Sequence, residues 1–195
     1  MIRDVQVAEA PPHTVMLSKG PIEIRDYAPM ILAEVQVAGD MAAANNRAFR
    51  PLADFMHGNN RSAGGTGSAS FEMTAPVIQT RAQTASGRKL TPQPGTDDKV
   101  WCIAFVMPAS WTVDTLAKPR DASIEIRQLP TRRLAAIRFS GSANEKTFEA
   151  HAHALSEYLQ REGHEIASQP IYARYSPPWT PAFLRRNEVL IEIKS

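Results

Sequence analysis

One stretch of eighteen residues recurs, in altered form, further along this chain. Displaced by 102 positions, Ile22-Glu23-Ile24-Arg25 falls on Ile124-Glu125-Ile126-Arg127, Leu32-Ala33 on Leu134-Ala135, and Gly39 on Gly141. That is 7 identities in 18 ungapped positions, where ordinary residue usage would give about one. Val35 and Val37 fall on Ile137 and Phe139, so apolar character and alternation parity are kept as well. The spacing is too long for a solenoid unit, whose period is roughly 20–50 residues. It reads as two copies of one half-domain packed together, which confines the chain to a fold that can be built twice.

Composition sets the outer limits. A length of 195 residues suits a single domain over 1–195, with half-repeats over about 22–108 and 124–194. Apolar residues at 43% supply a core, and 22 Lys and Arg against 20 Asp and Glu leave the chain near neutral. No basic stripe interleaves with aromatics, so nucleic acid is not an expected partner. A lone Cys102 excludes an internal disulfide. No run of 18 apolar residues is present, so no transmembrane helix is expected. The leading MIRDVQVAEAPP lacks the apolar core of a signal peptide, which makes the cytoplasm the default location.

Along the chain, a short strand at Thr14–Leu17 precedes Gly20-Pro21. Ile22 and Ile24 alternate with Glu23 and Arg25, and Ile31–Val37 alternates again after Asp26-Tyr27-Ala28-Pro29. The two segments read as a hairpin with one wet face. Asp40 is placed to cap a helix from Met41, whose residues Met41, Ala44, Ala48, Leu52 and Phe55 share a face and whose Pro51 should kink it. His57-Gly58 ends that helix, and the Gly/Ser/Asn-rich Gly58–Ser70 reads as a mobile loop. Phe71–Thr80 is extended, Arg81–Lys99 is a long hairpin loop, and Val100–Met107 is a strand covered on both faces.

The second copy repeats the order. Ile124–Arg127 and Leu134–Phe139 form a hairpin, and Ser142-Ala143-Asn144-Glu145 is a capping box before a helix carrying Phe148, Ala152, Leu155 and Leu159. Strands follow at Ile171–Tyr175 and Val189–Ile193. Each half is β-β-α-β-β. The expected fold is α+β, a distorted eight-stranded antiparallel β-barrel with two flanking helices and pseudo-twofold symmetry.

Catalytic and metal motifs are few. His151 and His153 lie about 200° apart around a helix and cannot share a metal. No HExxH, CxxC, GxSxG or Walker loop occurs, and Gly64-Gly65-Thr66-Gly67 lacks the Lys-Ser/Thr of a phosphate loop. Cys102 reads as a small buried hydrophobe. Glu23-Arg25 and Glu125-Arg127 look like solvated hairpin faces. What the pattern offers is a place for a ligand. A kinked helix of small residues with Met41, Phe49 and Phe55 can leave an apolar groove over a curved sheet.

Met73-Thr74-Ala75-Pro76-Val77, then Tyr175 with Pro178-Trp179-Thr180-Pro181, and Arg185-Arg186-Asn187-Glu188-Val189 resemble the SOUL/heme-binding-protein family. Phe49, Leu52, Phe55, Gly58 and Asn60 resemble its first-helix signature. The match runs from about Pro11 to the C-terminus. It implies a distorted barrel of two β-β-α-β-β halves, similar to the effector-binding domains of bacterial multidrug-responsive regulators. It also implies non-covalent binding of heme or another tetrapyrrole beside the first helix, by Met41, Asn45, Arg47, Ala48, Phe49, Arg50, Leu52, Ala53, Phe55 and His57. The family's apolar contact positions correspond to Phe49 and Ala53, and its basic positions to Asn46 and Asp54, with Arg47 and Arg50 close by. The iron-ligating histidine of the retinal member has no counterpart in Met30-Ile31-Leu32-Ala33, which leaves His57 as the nearest histidine. On this resemblance the protein is a tetrapyrrole carrier, buffer or sensor. The alternatives are an effector module for another apolar or cationic small molecule, or a heme-modifying or hydrolytic enzyme involving Tyr172, Tyr175 or Glu188.

Overall fold

Glycine and proline placement decides which strands become neighbours. The structure, a computed structural model, describes residues 8–82 and 99–194. Strand β1 (His13–Lys19) turns through Gly20-Pro21 into β2 (Ile22–Tyr27), and the two pair as a hairpin. Gly20 sits at φ +60°, the left-handed corner that a two-residue hairpin demands. The next links, Ala28-Pro29 and Pro130-Thr131, are just as short but hold no glycine, and no described non-glycine residue has a positive φ. Such a turn needs a positive φ at its first corner, which Gly20 supplies and neither Ala28, with its Cβ, nor the ring-locked Pro130 does. Both expected hairpins are therefore replaced. Strand β3 (Met30–Ala38) leaves β2, and β9 (Arg132–Phe139) leaves β8 (Ile124–Leu129), to find other partners. Strand β2 pairs with β9, and β3 with β8.

After β3 come helix α1 (Met41–Met56), the short β4 (Asn60–Arg61), β5 (Val77–Arg81), β6 (Val100–Val106) and the short β7 (Lys118–Pro119). After β9 come α2 (Glu145–Arg161), β10 (Ile171–Arg174), a 3₁₀ turn at Ala182–Leu184, and β11 (Asn187–Glu192). The main sheet has nine antiparallel strands in the order β1-β2-β9-β11-β10-β5-β6-β3-β8, while β4 and β7 pair separately. With β1 set aside and β2, β3, β5 and β6 matched to β8, β9, β10 and β11, this order reads the same from either end. The expected eight-stranded barrel is corrected on two counts. β1 adds a ninth strand at one edge, and the edges β1 and β8 do not pair, so the result is a curled half-barrel. The two-residue links force the curl, since each spans only about 10 Å between strands from opposite ends of the sheet.

Alternation sorts the strand residues between two layers. Ala33 and Val35, Trp101, Ile103 and Phe105, Ala135 and Ile137, Val189 and Ile191 face the helices and form the main core with them. Leu32, Ala104, Val106, Leu129, Leu134, Ala136 and Leu190 form a second cluster on the other face. Residues of β8 and β9, from opposite ends of the sheet, line one cavity there, so this face is the inside of the curl. Strand β6 is thus covered on both sides, as its unbroken apolar run predicts.

Both helix starts are capped, one of them differently from expectation. Asp40 Oδ1 accepts from the Ala43 N–H at 2.8 Å. At α2 the cap is Asn144, whose Oδ1 accepts from the Thr147 N–H at 2.9 Å, while the Ser142 hydroxyl only receives the Asn144 amide. Glu145 cannot complete a capping box because Arg81 at 2.7 Å and Lys99 at 3.1 Å draw its carboxylate to the sheet. Helix α1 continues through Pro51 without interruption. The Gly58–Ser70 loop is clamped by Asn60, fully buried, whose amide donates to Phe55 O and Ala69 O and accepts from Ala69 N, each at 2.8 Å. The expected hairpin loop after Arg81 falls largely outside the described residues.

Candidate functional site

Helix α1 lies across β3 and β6, and its sequence divides it lengthwise. Met41, Ala44, Ala48, Leu52, Phe55 and Met56 are buried against the sheet, the two alanines letting the backbone come close. Of the residues expected to bind a ligand, Met41, Ala48, Leu52 and Phe55 are therefore core residues. Asn45, Phe49, Ala53 and His57, four apart in sequence, form one ridge along the boundary of that face. Asn45 and Ala53 are half-buried, Phe49 is 40% exposed, and His57 is exposed. The inner edge of the Phe49 ring packs on Phe105, centroids 5.4 Å apart and nearly perpendicular, leaving its other side open.

Three local details give this ridge chemistry. The Asn45 Oδ1 is buried and has no hydrogen-bond partner among the described residues. His57 Nδ1 lies 2.7 Å from the Ala53 carbonyl. A carbonyl only accepts, so Nδ1 carries the proton and the Nε2 lone pair of the neutral ring faces outward, the arrangement of a metal-ligating histidine. Arg47 Nη1 donates to Ala38 O at 3.2 Å, and Arg50 meets Asp54 at 4.0 Å with its side chain 90% exposed. So loose and solvated an ion pair contributes little and exchanges readily for a ligand anion. Among the described residues no cluster of His, Cys, Asp and Glu is arranged to hold a metal ion by itself.

The signature residues near the C-terminus are largely architectural. Arg185 donates to Thr180 O and Pro178 O, both at 2.8 Å, fixing a loop that presents Trp179 and Phe183 to solvent at 83% and 75% exposure. Glu188 has no exposed surface. It accepts from Arg25 at 2.7 and 3.2 Å, from Arg186 at 2.7 and 3.0 Å, and from the Tyr175 hydroxyl at 3.0 Å. Burial alone would raise the Glu188 carboxyl, but the two guanidiniums outweigh it and hold it below its ordinary value of 4.5. Glu188 and Tyr175 are thus committed to each other and to arginines. Arg25 also corrects the reading of Glu23-Arg25 as a solvated face. It is 3% exposed because the curl closes over it, and it bridges Glu23, Tyr27 and Glu188.

A feature not visible in the sequence is the cavity inside the curl, about 320 Å³ in volume. Leu32, Ile78, Ala104, Leu129 and Ile171 form its apolar part, with Glu34, Cys102, Arg127, Arg132 and Glu192 among its polar residues. These come from seven strands, and the only sequence signal was charge at inward-facing positions such as Glu34 and Arg127. Burial, with Glu34 beside it, pushes the Cys102 thiol up to about 12. It is a protonated, unreactive thiol, in keeping with a packing role.

Several solved structures of low sequence identity share the fold. The C-terminal domain of EcmrR matches with a TM-score of 0.62 at 8% identity over 89% of this chain and 97% of that one. In EcmrR bound to DNA the same match spans 57% of the longer chain. A hydrolase from Listeria innocua matches at 0.57 and 11% identity, covering 92% and 94% of the two chains. SAV2435 bound to tetraphenylphosphonium matches at 0.53 and 12%, covering 89% and 94%. At these identities the likeness establishes the fold and no more. Among curated proteins none matches in sequence. The model of the SOUL heme-binding protein family matches residues 8–192, nearly the whole sequence. With that extent of agreement, on top of the signature segments and the curled two-helix sheet, the chain belongs to the SOUL heme-binding protein family.

Proposed function

We propose that the protein binds heme or a related tetrapyrrole non-covalently along the outer ridge of α1, as a carrier, buffer or sensor with no chemistry of its own. The observation that carries this reading is the outward Nε2 of His57, two helical turns from the half-open ring of Phe49. Heme would bring an iron able to take one further nitrogen ligand. The chain would contribute the His57 lone pair, apolar contact from Phe49 and Ala53, the open acceptor of Asn45, and Arg47 and Arg50 for the propionates. Met41, Ala48, Leu52 and Phe55 support the ridge from beneath. A second reading, an effector module for another small molecule, is favoured by the cavity inside the curl. The palindromic strand order and the 102-residue match together support descent from a duplicated half-domain.

Hemin titration tests the ligand. The expected result is a saturable Soret shift that moves to a different wavelength in His57→Ala and weakens strongly in Phe49→Asp. Absence of a saturable shift in the unaltered protein overturns the reading.

A further inference from the structure

The groups inside the curl do not balance. Arg127 is satisfied by Glu34, its Nε and Nη2 at 3.1 and 3.0 Å from Oε2. Arg81 bonds Glu145 at 2.7 Å and lies over the Trp101 ring at 4.0 Å. Arg132 has much less. Its Nη1 approaches Glu192 only to 3.6 Å, and its Nε is buried with no hydrogen-bond partner among the described residues, although the side chain is only 14% exposed. A buried guanidinium short of partners is costly, and Arg132 is among the residues that line the cavity, where a carboxylate would complete it.

Beside Arg132 the lining is hydrocarbon. Leu32, Ile78, Ala104 and Ile171 line the 320 Å³ cavity, within the size range of small-molecule sites. A smaller apolar hollow that shares Arg132, Ile78 and Ile171 extends towards Tyr27, Leu134 and Leu190. We infer that the inside of the curl is a binding site for a small amphipathic monocarboxylate, its head on Arg132 and its hydrocarbon part along Leu32, Ile78, Ala104 and Ile171. One negative charge is preferred to two, because Glu34 and Glu192 face the same space and would repel a dianion. Burial lowers the Arg132 pKa from its ordinary value, as expected of a cation short of partners. The site lies across the sheet from α1 and does not depend on the tetrapyrrole reading.

The test is calorimetric titration of the whole protein with decanoate and with decyltrimethylammonium, which carries the same chain and the opposite charge. Decanoate should bind saturably and at least about tenfold more tightly than the cation. Arg132→Met, which keeps apolar bulk, should lose about tenfold in decanoate affinity while its hemin titration stays as in the unaltered protein. If Arg132→Met does not fold, Ala104→Leu decides the matter by filling the cavity, and it should abolish decanoate binding. Equal binding of the two probes, preference for the cation, no decanoate binding, or decanoate binding undiminished in the variants overturns the inference.

Discussion

Glu188→Gln removes one charge and almost no volume from a carboxylate that receives five hydrogen bonds and has no exposed surface. The glutamine keeps one acceptor oxygen but turns an NH₂ towards guanidinium donors. Arg25, with 4% of its side chain exposed, cannot reach water, whereas Arg186 at 35% can turn outward. The loss therefore falls mainly on Arg25, which keeps Glu23 at 2.7 Å and the Tyr27 hydroxyl at 3.0 Å, so the cost should lie towards the lower end of the about 3–5 kcal/mol that breaking a buried pair carries. Arg25→Met should cost a similar amount, because it leaves the carboxylate with Arg186 and Tyr175 alone. The double variant should be little worse than either single, since neither uncompensated charge remains. Urea unfolding of the four proteins at neutral pH gives the coupling energy, expected at about 2 kcal/mol or more. Additivity within about 0.5 kcal/mol would refute the idea that the pair acts as a unit.

The same variant carries a pH signature. The Glu188 carboxyl titrates below 4.5 in the folded chain, so between its folded and unfolded values the unfolded state binds the extra proton. The pair's contribution is fully present above 4.5 and is lost as pH falls through the folded pKa. Glu188→Gln should flatten that part of the stability curve, and an acid limb of unchanged steepness would count against the assignment.

Asn60→Ala removes three hydrogen bonds, leaving the part-buried Ala69 N–H and carbonyl without their partner and the Phe55 carbonyl with only the 3.4 Å bond from Gly58 N–H, so it should lower stability by about 2 kcal/mol in denaturant titration. Protease cleavage should also increase within 58–70, and an unchanged cleavage pattern would contradict the clamp. Cys102, with its thiol near 12, should resist iodoacetamide at pH 8 in the native protein and react promptly in urea; rapid native labelling would contradict its burial.

Much of this protein was legible in its residues, wherever a local rule governs the outcome. Period and punctuation located both helices, the Asp40 cap and the fully covered β6 strand. Simple alternation along Asn187–Glu192 accounts for Glu188 and Leu190 lying on the face opposite Val189 and Ile191. Even the exchanged strands had a local trace: Gly20 can take the first corner of a two-residue turn, and Ala28 and Pro130, which open the other two links, cannot. What alternation could not say is that the outward face of Arg25 would be enclosed, because that depends on the sheet curling until its far strands face each other. The Ser142 capping box failed for a related reason, as Arg81 and Lys99 reach Glu145 only once β5, β6 and α2 are assembled. The cavity around Arg132 collects residues spread from Leu32 to Glu192. Its unmatched donor exists only because tertiary closure removes water from one particular set of strands, and no periodicity along the chain records that event.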